Sequence, residues 1–502
     1  MPTPNTNDPT KPNYIRPEVV DAAEDLVLIH ALLNGPRAMW AASKTYIRKW
    51  TDEDRKVYDL RRLCEPCTDL FGRTLSASVG KLFAKPPVVD FGTQATRFAA
   101  HWDNIDAAGS KGDIAIKEFA ADAIADGYGL ILVDHTPRPV ATVTEANEAA
   151  LGLRPTWAFY DRAAVCSWRV RARGHADIVE QVVLTESAEI PNGAFGTASA
   201  TLYRELYLDE NDVASWRLWR APEQDGAAFT IERAGVFRNR RGKTRDTLPI
   251  AVGYAGRRRA AFVADPPLRG VAYANLAHWR LATELTFGRQ VSAIEQPVVK
   301  GALMNTDGTA GGKLKLGWMT GQQVEAAGDF FWRGPSGVGL DQLAKGKVEK
   351  EQEIAAMGMS FISRDTRAAE TAEAKRLDAA AEDSTLATAG QGLEDAVNLA
   401  WEHHAWYEGM EKTDAPVVTI NRDFDLSGID AARAALIAPL IESGMPIRKA
   451  VEILRDGGFL SIADEDEFED VVMEWETGRV AAEDAAARQA EARVPMPMPN
   501  AA

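Results

Sequence analysis

The stretch DPPLRGVAYANLAHWRLATELTFGRQVSAI, Asp265 to Ile294, constrains this chain more than any other. A capping Asp, prolines in the first turn and unbroken helical composition predict one helix, which at 1.5 Å per residue reaches about 40 Å. A glycine-rich stretch follows, from QPVVKGALMNTDGTAGGKLKLGWMTG to FFWRGPSGVGLD, and reads as short strands and turns. Helical pattern returns in QLAKGKVEKEQEIAAMGMSFIS, breaks around Arg364, and resumes through RDTRAAETAEAKRLDAAAEDS to LEDAVNLAWEHHAWYEG. Two long helices therefore flank a compact β-containing insert. The alanines of the resumed stretch give high helix propensity and a thin side-chain layer, which lets neighbouring backbones approach closely.

Pro and Asn punctuate residues 1–16, which are expected to form a flexible arm. Helical periodicity runs through PEVVDAAEDLVLIHALLNG and then TDEDRKVYDLRRLCEPCTDLFGRTLSASVGKLF, the latter as one long helix that starts at a capping-box-like Thr51 and Asp54. IAIKEFAADAIADG reads as a helix stopped by Gly127, and YGLILVDH as a buried strand. From Pro155 to about Arg233 the alternation predicts hairpin-rich, antiparallel strands. After a strand in PVVTINRDF the pattern is helical again, in DAARAALIAPLIESG, PIRKAVEILRDGG and an acidic segment beginning ADEDEFED. The expected fold class is α+β.

At 502 residues the chain is longer than one hydrophobic core usually serves, which predicts several modules. Lys and Arg number 57 against 73 Asp and Glu, a net charge of -16 that argues against tight wrapping of nucleic acid. No apolar run approaches the roughly 18 residues of a membrane span, and the start lacks the regions of a signal peptide, so no membrane partner and a cytosolic site of synthesis are expected. The cysteines Cys64, Cys67 and Cys166 fit a reducing compartment, and CEPC, lacking a second pair, reads as buried or idle thiols.

Motifs for chemistry are incomplete. RNRRGKTRD has Phe237 where a phosphate-binding loop needs glycine, and GTAGGKLKLG has Leu314 where the magnesium-binding hydroxyl belongs. His403 and His404 are adjacent on a helix and point about 100° apart, so WEHHAWYEG reads as an amphipathic helix end with buried aromatics and solvated polar atoms. No G-x-S-x-G or H-E-x-x-H constellation appears, so neither a catalytic residue, a metal nor a cofactor is expected, and the chain is not read as an enzyme. Two basic clusters stand out against the acidic total: Arg238, Arg240, Arg241, Lys243 and Arg245, and then Arg257, Arg258 and Arg259. They are candidate contacts for phosphate or an acidic subunit, or else exposed loops with paired charges.

The order of these pieces resembles the portal proteins of tailed bacteriophages, in the branch whose domain carries only an unknown-function label. The resemblance rests on GRTLSASVGKLFAKPP, WDNIDAAGSKGDIAIKEFAADAIADGYGLILVDH, RPTWAFYDRAAVCSWRV, LPIAVGYAGRR leading to PPLRGVAYANLAHWRLATEL, and ETAEAKRLDAAAEDSTLATAGQGLEDAVNLAWEHHAWY. It implies a homo-oligomeric, dodecameric ring at one vertex of the virion capsid, assembled in the host cytoplasm, through which double-stranded DNA is packaged and ejected. The partners it implies are the terminase large subunit, a head-tail adaptor, and the major capsid and scaffold proteins.

On that resemblance a wing occupies 17–267, a first stem helix 268–294, a clip 295–342, a second stem helix 343–362, a tunnel loop 363–367, a wing return with a long helix 368–425, and a helical crown 426–494. A disordered tail, 495–502, follows. The tunnel loop supplies Ser363, Arg364, Asp365, Thr366 and Arg367 as lumen-facing candidates, and Lys345, Lys347 and Lys350 are candidate phosphate contacts on the second stem helix. The competing readings are a nucleic-acid-processing hydrolase with an unrecognised active site and another head or scaffold structural protein.

Overall fold

The computed structural model describes residues 7–135, 152–222, 228–293, 296–303, 309, 324, 327–333, 338–358, 372–421, 446–456, 468–469, 471–473, 475 and 477. The chain divides into two compact units, Met1–Arg422 and Asp423–Ala502.

In the first unit, helices α1 (Pro17–Leu33), α2 (Gly35–Ala41), α3 (Ser43–Tyr46), α4 (Arg55–Leu63) and α5 (Leu70–Leu82) precede a short strand β1 (Val88–Asp90) and helices α6 (Ala95–Trp102) and α7 (Gly112–Asp126). Strands β2 (Tyr128–His135), β3 (Pro155–Tyr160), β4 (Val165–Arg173), β5 (Ala176–Asn192), β6 (Gly196–Leu208), β7 (Ala214–Arg220) and β8 (Thr230–Val236) follow. Then come β9 (Ile250–Tyr254), β10 (Arg257–Ala260), β11 (Val263–Asp265), helix α8 (Arg269–Ser292), β12 (Gln296–Lys300), β13 (Asp329–Arg333), helices α9 (Val338–Ala356) and α10 (Ala372–Tyr407), and β14 (Val417–Thr419).

Two antiparallel sheets organise this unit. One has the order β3-β2-β9, and the other is a meander β4-β5-β6-β7-β8. Strand β2 is apolar on both faces because α7 and α10 pack against its sheet. Gly127 ends α7 in the left-handed conformation at φ 98°, where a side chain would be strained, and the chain turns directly into β2. Gly392 lets α10 approach β9 closely, since a Cβ there would stand 2.1 Å from the Tyr254 carbonyl oxygen. In the meander, β5 and β6 stay paired from Gln181↔Tyr207 to Asn192↔Gly196, beyond the ends of β4 and β7. That projecting ribbon carries Phe195 fully exposed at its tip.

The long helix expected over 51–83 is two helices. Pro66 lacks the N–H that the helix interior needs, and Asp69 re-caps the chain by accepting a bond from the Gly72 N–H at 2.7 Å. Asp54 caps α4 through the Lys56 N–H at 2.8 Å, and Thr51 lies outside the helix. Of the arm 1–16, residues 7–16 are folded: the Asn7 amide donates to the Ile15 carbonyl at 2.7 Å and accepts the Ile15 N–H at 2.8 Å.

The second unit is described by helix α11 (Ile447–Asp456) and residues of a segment from Phe468 to Thr477. Ile447, Val451, Phe468 and Val472 form its core, with Arg448 bonded to Glu469 at 2.6 Å. The rest of the region read as crown helices, and the tail 495–502, lies outside the described residues.

Candidate nucleic-acid interface

Helices α8 and α9 form an antiparallel pair whose register is constant along its length. A Cβ on Gly288 would stand 2.6 Å from the Leu340 side chain, Gly346 faces Leu281, His278 Nε2 lies 3.0 Å from Glu351 Oε1, and Gly270 faces Met357. These four crossings span Gly270 to Gly288, about 27 Å of helix. Beyond them the chain continues into the β12–β13 ribbon, paired from Gln296↔Arg333 to Lys300↔Asp329, so that the ribbon caps the far end of the hairpin. The helices begin and end at Arg269–Ser292 and Val338–Ala356, the second starting earlier than the 343 expected from sequence.

The near end of the hairpin is fastened to the core by polar groups. Asn275 accepts the Leu70 and Phe71 N–H groups at 3.1 and 2.9 Å, and the Trp279 indole donates to the Glu65 carbonyl at 3.0 Å. Burial holds the His278 imidazole below its usual range, so it stays neutral beside Glu351.

The three candidate lysines all lie on α9. Lys345 is exposed, Lys347 pairs with Glu351 at 3.4 Å, and Lys350 pairs with Glu353. With Asp341 and Glu349 on the same helix, these lysines sit among carboxylates.

The first basic cluster separates by role. Arg238, Arg241 and Lys243 are exposed on the loop closed by the Arg238↔Thr244 bridge. Arg240 and Arg245 turn inward to the end of α10: Arg240 donates its N–H to the Tyr407 carbonyl at 2.8 Å, and its guanidinium lies 3.9 Å from Glu408. Arg245 bonds His403 Nδ1 at 3.0 Å and lies over the Trp406 ring at 4.7 Å. In the second cluster Arg259 pairs with Asp265 at 2.7 Å and Arg258 covers the Tyr254 ring at 4.9 Å, while Arg257 is exposed on β10. The tunnel-loop candidates Ser363, Arg364, Asp365, Thr366 and Arg367 lie outside the described residues.

His403 and His404 are buried, not solvated. His404 sits in an aromatic core of Phe98, Trp102, Trp157 and Trp401, where the Trp157 and Trp401 ring centroids are 5.3 Å apart. The Trp157 indole can only donate, so at 3.2 Å it fixes His404 Nδ1 as an acceptor. His404 Nε2 then carries the proton and donates to His101 Nδ1 at 2.8 Å. His101, His404 and Glu408 are near enough to share a cation, yet this tautomer leaves no lone pair on Nε2, and Glu408 is already paired with Arg97. The set does not fit a metal. In a second group, His30, Asp126 and Asp161, His30 Nε2 lies 2.9 Å from Asp126, and Asp161 accepts the Ala164 N–H at 2.9 Å.

Sequence gave no sign of the His101–His404 pair, whose members are 303 positions apart. The CEPC thiols sit at the α4–α5 break, and burial pushes Cys67 up to about 12, which keeps it protonated.

Residues 267–408, which run from the start of α8 to the end of α10, match the family described as Domain of unknown function (DUF4055). No curated protein matches the chain. Among solved structures, it is similar to a chain of the virion of a native gene transfer agent (GTA) particle, at TM-score 0.41 and 12% identity over 82% of this chain and 97% of that one. It is also similar to a chain of the neck of an empty GTA particle computed with C6 symmetry (TM-score 0.41, 12% identity, 84% and 98% covered). A chain of the native GTA neck computed with C12 symmetry gives 0.39, at 12% identity with 87% and 98% covered.

Proposed function

We propose that this chain is a portal-type subunit: a non-enzymatic protein that closes into a homo-oligomeric ring at a capsid vertex and conducts double-stranded DNA. The observation that carries this reading is the α8–α9 hairpin, held in one register for about 27 Å and tipped by a β-ribbon. It stands where the sequence resemblance calls for two stem helices and a clip. A ring of such hairpins lines a passage, and the ribbon presents a rim for an adaptor or a packaging motor.

Charge supports the same reading. DNA that must slide is slowed by every tight phosphate contact, because each one adds a cost of release. Two of the three α9 lysines are tied to neighbouring glutamates, and the chain as a whole is acidic. A mostly acidic passage with sparse cations is a low-friction one.

Electron microscopy of the purified protein at micromolar concentration tests the proposal. Closed rings with a central hole are the expected result, and a uniform monomer at every concentration would overturn it. A metal-dependent nuclease assay on duplex DNA addresses the hydrolase reading, and no cleavage above background is expected.

A further inference from the structure

Helix α4 is built inside out. It is 9 residues long, and Arg61 on it is 1% exposed whereas Leu60 is 68% exposed. The buried side is occupied by an ion pair: Arg61 Nε and Nη2 donate to the Glu53 carboxylate at 2.8 and 2.9 Å, and Nη2 also reaches the Arg48 carbonyl at 2.7 Å. Glu53 accepts the Trp50 N–H at 3.0 Å, and the Trp50 ring lies 4.0 Å from the Arg61 guanidinium. These bonds fix the rotation of the helix about its axis. They leave Val57, Leu60 and Leu63 facing outward, three residues apart along one side, next to the half-exposed Trp50.

An ordinary surface helix turns its apolar stripe to the core and its charges to water. Here a desolvated ion pair, which is costly to bury, takes the inner side and the leucines take the outer one. The exposed charges that flank this face in sequence are Arg48, Lys49, Arg55 and Lys56, with Asp52 and Asp54 between them. No ion pair within 4 Å joins these four cations to another described residue, although Lys49 acts on Glu53 and Arg55 on Asp59 at longer range. On a chain of net charge -16, a leucine face flanked by four cations against two carboxylates favours acidic apolar partners.

We propose that α4 and Trp50 form a docking surface for an acidic amphipathic helix of another protein. Its apolar side chains, spaced i, i+3, i+4, seat on Val57, Leu60 and Leu63, and its flanking carboxylates meet the four cations. The exposed Asp52 and Asp54 between these cations, and the shortness of the helix, favour a protein helix over an anionic membrane surface. The inference does not depend on ring formation.

The test uses the full chain and three probes: a fluorescein-labelled helical peptide with Leu at i, i+3, i+4 and i+7 and Glu elsewhere, its Lys counterpart, and phosphatidylserine–phosphatidylcholine vesicles. Anisotropy should show saturable, salt-sensitive binding of the Glu peptide alone. Leu60→Glu, and separately Arg55→Glu with Lys56→Glu, should each weaken it by about tenfold or more, with circular dichroism and oligomeric state unchanged. Leu60→Gln serves if Leu60→Glu disturbs folding, since the side chain is largely in water already. Equal binding of the Lys peptide, indifference to both variants, or binding to vesicles alone overturns the proposal. So does a loss of oligomers in Leu60→Glu, which would assign the face to contact between copies of this chain.

Discussion

His101 Nδ1 and His404 Nε2 lie 2.8 Å apart, so that α6 and the last turn of α10 share a proton inside an aromatic core. The pair works only while both rings are neutral.

Its pH dependence follows. Burial, with the nearby Arg154 and Arg97 charges, lowers His101 to about 4 from 6.5, and burial beside Arg245 lowers His403 to about 3. The unfolded chain takes up these protons near 6.5 and the folded chain refuses them, so their stabilisation is complete above 6.5 and is lost as pH falls toward 4. The thermal midpoint should drop across that window, and less steeply in His101→Gln. An equal drop in the variant would count against this assignment. His30 runs the other way: its hydrogen bond to Asp126 raises it, so its contribution is full below 6.5 and fades as pH rises through the raised value.

Arg61→Ala should destabilise the first unit by about 3–5 kcal/mol, because it strands a buried Glu53 carboxylate. Replacing both partners, Arg61→Leu with Glu53→Leu, should cost much less. Urea unfolding of the two variants separates the outcomes, and a double variant as unstable as the single one would refute the account.

Two glycine substitutions should have opposite signs. Gly392→Ala forces a Cβ against the Tyr254 carbonyl and should lose several kcal/mol, on the order of the larger core defects. Gly346→Ala meets only the Leu281 side chain at 3.7 Å and should gain about 1 kcal/mol from helix propensity. Calorimetry on both variants checks the contrast.

The basic loop should divide in the same manner. Arg245→Met removes the bonds to Thr247 and His403 and should cost about 1–3 kcal/mol. Arg238→Glu or Lys243→Glu should stay within about 0.5 kcal/mol, since both side chains are exposed. Thermal melts of the three variants suffice.

Periodicity and punctuation carried much of the fold. The α7 helix closed by Gly127 and the antiparallel meander after Pro155 stand where pattern put them, because each depends on neighbours within a few residues, whereas Asp265 ends β11 and α8 starts only at Arg269, without the capping Asp and prolyl first turn expected. Pro66 breaks the helix although apolar spacing continues on both sides of it. The inward turn of Arg240 and Arg245 was illegible for another reason. A charged side chain is buried only when a distant partner is waiting, and Glu408 stands 168 positions beyond Arg240. The same holds for the two histidines, whose burial reverses the solvated reading of WEHHAWYEG.

The α8–α9 hairpin has a mechanical consequence. With Gly288 admitting Leu340 and His278 tied to Glu351, neither helix can slide past the other without repacking every crossing. A load on the β12–β13 ribbon is therefore borne as axial compression by both helices together. It arrives at Trp279 and Asn275, which are bonded to the backbone of Glu65, Thr68, Leu70 and Phe71. The hairpin is a strut: what pushes on its tip moves the body of the protein.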